Sequence, residues 1–248
     1  MALHPEQVAQ AVTLFIVVLV IDRWERLRPG YPVDRRRELP LNLLAMGVVI
    51  FLGEQAKRIA QVVLGLYQLG SSPLPFLAGL PGAVKVPLAV VLTDFSLYWV
   101  HRAMHGRLLW PTHRFHHSIG EVWWLSGART SFTHLCLFAL PQIFIAHVLL
   151  RLSTAQVGIG LSLGVAVNIW LHANIRVDLG VLEAVLITPG YHRIHHGAKG
   201  MTDKNLGFLF NCWDRMFGTY VSPRATGLDV PLHAEPTENR LLRMVLGI

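Results

Sequence analysis

The stretch Val84-Lys-Val-Pro-Leu-Ala-Val-Val-Leu-Thr-Asp94-Phe-Ser-Leu-Tyr98-Trp-Val-His101-Arg-Ala-Met-His105 decides the fold. Its body, Val84–His101, is apolar over nearly the ~20 residues that a helix needs to cross a bilayer. Within it Asp94, Tyr98, His101 and His105 follow one another at intervals of 4, 3 and 4 residues, which aligns them along one helical stripe. The segment therefore reads as a membrane helix that carries a carboxylate at depth and delivers two imidazoles to its end. An ionisable group inside a bilayer needs a partner. A carboxylate that orients a histidine ligand is one solution, and pairing with an arginine or hydroxyl is another.

Working outward, four further apolar stretches have comparable length: Val8–Trp24, Leu41–Leu66, Phe132–Leu152 and Gln156–His172. Glu54, Lys57 and Arg58 interrupt the second, whose latter half also reads as an interfacial amphipathic segment. Gly70, Pro73, Pro75, Gly79, Pro81 and Gly82 then mark an irregular loop or shallow re-entrant piece. The chain of 248 residues is 52% hydrophobic and 15% charged, too apolar for an ordinary soluble domain. No linker or repeat divides it, so residues 1–248 form a single membrane domain. The expected fold is an all-α integral membrane bundle of about four to five spans with a histidine-rich cap.

Arg23, Arg26, Arg28, Arg35, Arg36 and Arg37 crowd the connection between the first two spans, which places it in the cytoplasm by the positive-inside rule. The start of the chain has neither a basic leader nor a small-residue cleavage site, so the first span reads as retained, with the N-terminus outside. Alternation brings His101–His105 and His172 to the cytoplasmic side, while His4 and His147 fall on the outer side. The net charge of +7 belongs to these juxtamembrane arginines rather than to a nucleic-acid face, for which no basic stripe with interleaved aromatics is present. Cys136 and Cys212 form neither a CxxC motif nor a disulfide framework.

Three multi-histidine motifs carry the chemistry: His101-Arg-Ala-Met-His105, His113-Arg-Phe-His116-His117 and His192-Arg-Ile-His195-His196. Residues at i and i+3 or i+4 share a helical face, so each motif aims at least two imidazoles at one point, as metal ligation requires. At this histidine content an HxxHH pattern is expected only about 0.04 times by chance, and it occurs twice. His172 closes the fifth span on the same side and joins the candidate ligands. His134 is the weaker candidate, an interfacial histidine by default. Arg102, Arg114 and Arg193 each follow the first histidine of a motif, as donors to a carboxylate or headgroup or as snorkelling interfacial charge. Trp123, Trp124 and Trp213 read first as interfacial anchors.

The segments DFSLYWVHRAMH, LLWPTHRFHHS, LHANI, TPGYHRIHHG and WDRMFGTY, running from Asp94 to Tyr220, resemble the fatty acid hydroxylase/sterol desaturase superfamily of membrane di-iron oxygenases. The resemblance implies a catalytic region over residues 94–220. It implies that His101, His105, His113, His116, His117, His172, His192, His195 and His196 hold two iron ions. Asp94, Tyr98 and the Asn174 of LHANI stand as candidate catalytic residues beside them. It further implies O2 as co-substrate, hydroxylation of a membrane lipid with desaturation as the alternative outcome, and an external electron donor. That donor is a reductase with a cytochrome or ferredoxin carrier, since no haem, dinucleotide or iron–sulfur motif occurs in the chain. The sequence departs from the family pattern at Arg129-Thr-Ser-Phe, where a histidine usually follows the arginine, and at Asn205-Leu206-Gly207, where NYG is usual. Two rivals remain at this level. A metal transporter would spread its ligands through the membrane depth, and a zinc hydrolase would want a general-base glutamate.

Overall fold

A computed structural model describes residues 5–65, 74–197, 200–227, 229 and 231–248. His4, the Leu66 end of the second span, and Gly70 and Pro73 of the expected loop lie outside the described residues. The described residues contain helices and no strand, with isolated bridges at Leu186–Phe210 and Gly197–Leu232. The long helices are α1 (Pro5–Leu27), α2 (Arg35–Gly65), α4 (Gly82–Met104), α6 (Phe132–Ile143) and α7 (Thr154–Leu171). Short helices connect and cap them: α3 (Pro75–Ala78), α5 (Trp110–His113), α8 (Pro189–His195), α9 (Cys212–Phe217), α10 (Pro223–Thr226) and α11 (Leu241–Leu246).

Local chemistry sets the helix ends. Ser131 opens α6 by accepting from the His134 N–H, and Ser153 opens α7 in a reciprocal capping box with Gln156. Thr188 caps α8, and Gly218 ends α9 in the left-handed region at φ 74°. Pro141 removes a donor inside α6, and the helix continues from Phe144 to Leu149 as a π-turn.

Among the described residues, four helical stretches are long and apolar enough to cross a membrane: Arg35–Gly65, Gly82–Met104, Phe132–Leu149 and Thr154–Leu171. Between them α2 packs on α6, α1 on α7, and α4 against both α6 and α7. Small side chains allow the α2 contact, since Ala45, Ala56 and Ala60 are fully covered. Large apolar side chains face outward instead: Phe15 and Val20 on α1, Ile50, Phe51 and Val62 on α2, Ile159 and Val165 on α7. Exposed apolar surface repeated on several long helices suits a hydrocarbon solvent rather than water.

The second span is continuous, as its apolar length suggested, rather than a short span running into a separate interfacial segment. It is one helix of 31 residues, in which Glu54 and Lys57 pair across an exposed turn at 2.6 Å and so need no break. The loop before α4 contains a turn of helix, α3, before Pro81 starts α4. The three tryptophans are not free interfacial anchors. Trp123 is buried beneath Arg35, Trp124 Nε1 donates to Asp22, and Trp213 Nε1 donates to Asp94.

Candidate metal centre

The ends of the long helices that carry functional residues gather on one side. Asp22 and Glu25 at the end of α1 meet Arg35 at the start of α2, and Glu25 also accepts from the Trp124 and Asn174 N–H groups. The end of α4 brings His101, the first turn of α6 brings His134, and the end of α7 brings His172. The segment 105–131 and the segment 172–220 fold over these ends and supply the two HxxHH motifs.

The nine sequence-selected histidines fall into two adjacent groups. His101, His105, His113, His117 and His195 form one, and His116, His172, His192 and His196 form the other, with the candidate ligand nitrogens of each within 4.8 Å of one another. No carboxylate or thiolate enters either group among the described residues. In the first group the Nε2–Nε2 separations are 2.9 Å for His101–His113, 3.3 Å for His101–His105 and 3.1 Å for His117–His195. In the second they are 3.1 Å for His172–His192 and 3.2 Å for His192–His196. Ligand nitrogens held about 2.1 Å from a common ion are separated by edges of about 3.0–3.4 Å.

The far side of several rings decides which nitrogen faces inward. Nδ1 of His101 donates to the Leu206 carbonyl at 2.7 Å, that of His195 to Lys204 at 2.9 Å, that of His116 to Arg129 at 3.0 Å and that of His172 to Asn168 at 2.9 Å. Each bond holds the proton on Nδ1 and leaves the Nε2 lone pair directed at the group centre. Burial pushes the pKa values of His113, His116, His117, His192, His195 and His196 well below the usual histidine range, and the neighbouring imidazoles push the same way. Burial also lowers His172 to about 4. Converging neutral lone pairs in a dry site fit divalent cations, so the residues present suit a pair of metal ions.

The three candidate catalytic residues lie one step away from the histidines. Among the described residues the hydrogen bonds of Asp94 go to no histidine, so any orienting role runs through other groups. Its carboxylate accepts from the Leu209 N–H at 2.7 Å, the Phe210 N–H at 3.2 Å and Trp213 Nε1 at 2.8 Å, pinning to α4 the loop whose Leu206 carbonyl holds His101. Tyr98 is fully buried, shares a hydrogen bond with Thr219 at 3.0 Å and accepts from Arg102 at 2.9 Å. Asn174 is engaged by backbone: its amide oxygen accepts from the Tyr31 N–H and its NH2 donates to the Tyr31 carbonyl. Of the three arginines that follow motif histidines, Arg102 reaches Tyr98 and Phe217, Arg114 lies 3.5 Å from Glu235, and Arg193 stacks on Tyr31.

Several supporting residues carry no signal in a histidine motif. Buried Arg129 donates to Asn42 Oδ1 at 2.7 Å and the Ser118 carbonyl at 2.6 Å and pairs with Glu38, tying the start of α2 to the end of the first HxxHH motif. Asp214 accepts from the Leu206 and Gly207 N–H groups at 2.8 Å, from Thr219 at 2.6 Å and from the Tyr191 hydroxyl. Asn205 adopts φ 55°, a left-handed conformation that asparagine tolerates, and its side chain bonds to Tyr191 and Val221. His134, the weaker candidate, is buried with Nδ1 3.2 Å from His113 Nδ1, outside both groups. Near the end of the chain a strap crosses both HxxHH motifs: the His233 N–H donates to the His196 carbonyl and the Glu235 N–H to the His117 carbonyl. The separations vary, with Asn42 and Glu38 lying 87 and 91 positions from Arg129 and the partners of Asp214 only 5 to 23 positions away, and none of them forms a recognisable motif.

Among the described residues, four helices of membrane-crossing length carry at one end two all-histidine groups that could hold metal ions, which defines a helical membrane protein with a candidate metal centre. Comparison with known proteins agrees: the fatty acid hydroxylase model matches residues 86–219, and the chain belongs to that family. An alkylglycerol monooxygenase from Danio rerio is 37% identical over 54% of this chain and 30% of its own length. An ornithine lipid hydroxylase from Rhizobium tropici is 30% identical over 66% of this chain and 50% of its own length. A Delta(7)-sterol 5(6)-desaturase from Aspergillus fumigatus is 28% identical over 67% of this chain and 47% of its own length. The chain thus spans about half or less of these relatives. No solved structure matches.

Proposed function

We propose that this chain is a membrane di-iron oxidoreductase that uses O2 to hydroxylate a C–H bond of a lipid. The pair of buried all-histidine groups carries the reading. The family membership and the names of the monooxygenase and hydroxylase relatives support it. Residues 94–220 form the catalytic region within a single membrane domain. The nine histidines would hold two iron ions, which when bound would supply the oxidising power for O2-dependent attack on a C–H bond.

The chain's own residues prepare that chemistry. Carbonyls of Leu206, Lys204, Arg129 and Asn168 fix four imidazoles so that little reorganisation accompanies binding. Asp94 and Tyr98 act as positioning residues through the 205–220 segment, and Asn174 through the α1–α2 connection. Burial of the groups excludes bulk water from the reacting centre. The arginine-rich α1–α2 connection lies at the histidine end, and the positive-inside rule supports a cytoplasmic location for that end. A lipid chain reaches the site from the bilayer, and a separate reductase with a cytochrome or ferredoxin carrier delivers electrons from the aqueous side. One oxygen atom enters the C–H bond and the other leaves as water, with two electrons and two protons from the donor. Desaturation is the second reading, because the matched sterol desaturase shows the family also accommodates that outcome.

The test uses iron-loaded full-length protein, a reductase with its carrier, isotopically labelled O2, and alkylglycerol, ornithine lipid and sterol as separate probes. Hydroxylation predicts about two iron ions per chain and one labelled oxygen in the lipid product. An unsaturated product without label selects desaturation. Full activity with one ion or none, or an equal anaerobic rate, defeats both.

A further inference from the structure

A second charged feature lies beside the histidine groups and has no part in them. Pro111, Arg114, Arg240, Arg243, Met244 and Ile248 line a cavity of about 300 Å3 between α5 and α11. Three guanidinium groups therefore border one small space. Arg114 has its Glu235 partner at 3.5 Å, and its buried Nε makes no hydrogen bond. Arg240 and Arg243 are exposed and pair with no acidic group among the described residues. Three cations with at most one weak counter-charge leave a positive potential that an oxyanion would offset, and guanidinium forks match phosphate oxygens in pairs.

The depth of the cavity narrows the source of that anion. Thr133 in the first turn of α6 donates to the Gly247 carbonyl at 3.0 Å, so α11 lies at the level where a membrane-length helix begins. Met244 packs with Phe115 and with Ala45 in the third turn of α2, which holds α11 against the first half of that helix. On and beside the same short helix Leu242 and Ile248 are 71% and 60% exposed. Arginines around a cavity with bare apolar side chains beside them match the headgroup level of a bilayer, where phosphate sits next to hydrocarbon.

We infer that the α5–α11 cavity binds a phosphate-type oxyanion, supplied by the headgroup of an anionic phospholipid. The lining shares no residue with the two histidine groups, so the site is separate from the proposed chemistry.

Detergent-solubilised full-length protein is titrated with short-chain phosphatidylglycerol, with diacylglycerol of the same chain length, and with inorganic phosphate. Saturable binding of phosphatidylglycerol is expected, with little binding of diacylglycerol. The double variant Arg240→Ala/Arg243→Ala should weaken it about 25-fold, roughly fivefold per arginine. These two side chains are exposed, so an unchanged melting curve serves as the folding control. Arg36→Ala/Arg37→Ala, which removes two exposed arginines elsewhere on the histidine side, should leave the affinity unchanged. Saturable binding of inorganic phosphate that depends on Arg240 and Arg243 supports the oxyanion site, and phosphate without phosphatidylglycerol binding assigns a soluble source. Equal binding of diacylglycerol overturns the inference, as does an equal loss in the Arg36/Arg37 variant. None of these readouts uses turnover, so their failure is distinguishable from failure of the oxygenase reading.

Discussion

Gly127 occupies a position where a single methyl group would disturb the second histidine group. A Cβ there would lie 2.7 Å from Asn168 Nδ2 and 2.8 Å from His172 Nδ1, both closer than real side chains approach. Gly127→Ala is therefore expected to push the His172 ring out of line and to lower metal content by about one ion per chain, measured by elemental analysis of folded protein. His172→Ala should do the same and abolish turnover. His147→Ala should retain both ions, because His147 is exposed in the π-turn at the far end of α6 and belongs to neither group. Metal loss on changing His147 with retention on changing His172 would overturn the assignment. The histidines themselves were legible because their spacing is local and repeats. The roles of Gly127, Arg129 and Asp214 were not, because each acts through a contact that folding brings together. Asp94 shows the boundary well: its place on the stripe was readable, yet its partners, Leu209, Phe210 and Trp213, lie more than a hundred residues away.

At the level of elements, α2 packs directly on the first HxxHH motif. Ala45 is fully buried against Phe115, the residue just before His116. Ala45→Leu is expected to destabilise the protein by about 1–3 kcal/mol through overpacking and to reduce metal retention. Phe51→Leu, on the 75% exposed outer side of the same helix, should change neither in a denaturation and metal-content assay. A result in which both variants behave alike would remove the proposed mechanical link. Hydrophobic length made the long helices readable, and their ends shifted by only a few residues. The continuity of α2 was harder, since Glu54, Lys57 and Arg58 break an apolar run without breaking the backbone ladder. The tryptophans misled for a related reason: an indole that finds a carboxylate partner inside the protein looks, in sequence, like one resting at an interface.

Across the whole molecule, burying so many imidazoles makes stability depend on pH in a defined direction. In the unfolded chain they take up protons near about pH 6.5. Burial lowers the folded-state values, His172 to about 4. The unfolded state thus binds more protons as the solution is acidified, so this contribution is fully present above about pH 6.5 and is lost progressively below it. Metal-free protein should melt at lower temperature at about pH 5.5 than at about pH 7.5, and a flat profile would contradict the burial of these rings.

The strap that crosses both HxxHH motifs also bears on how the protein is made. His101 leaves the ribosome long before His196, and the strap residues His233 and Glu235, which hold the carbonyls of His196 and His117, follow later still. An ion captured by the early histidines alone would meet an incomplete set of ligands in a chain whose membrane helices are still being inserted. A complete set of candidate ligands therefore exists only once the chain has been made as far as His196, so full loading of the proposed metal pair would come after that point.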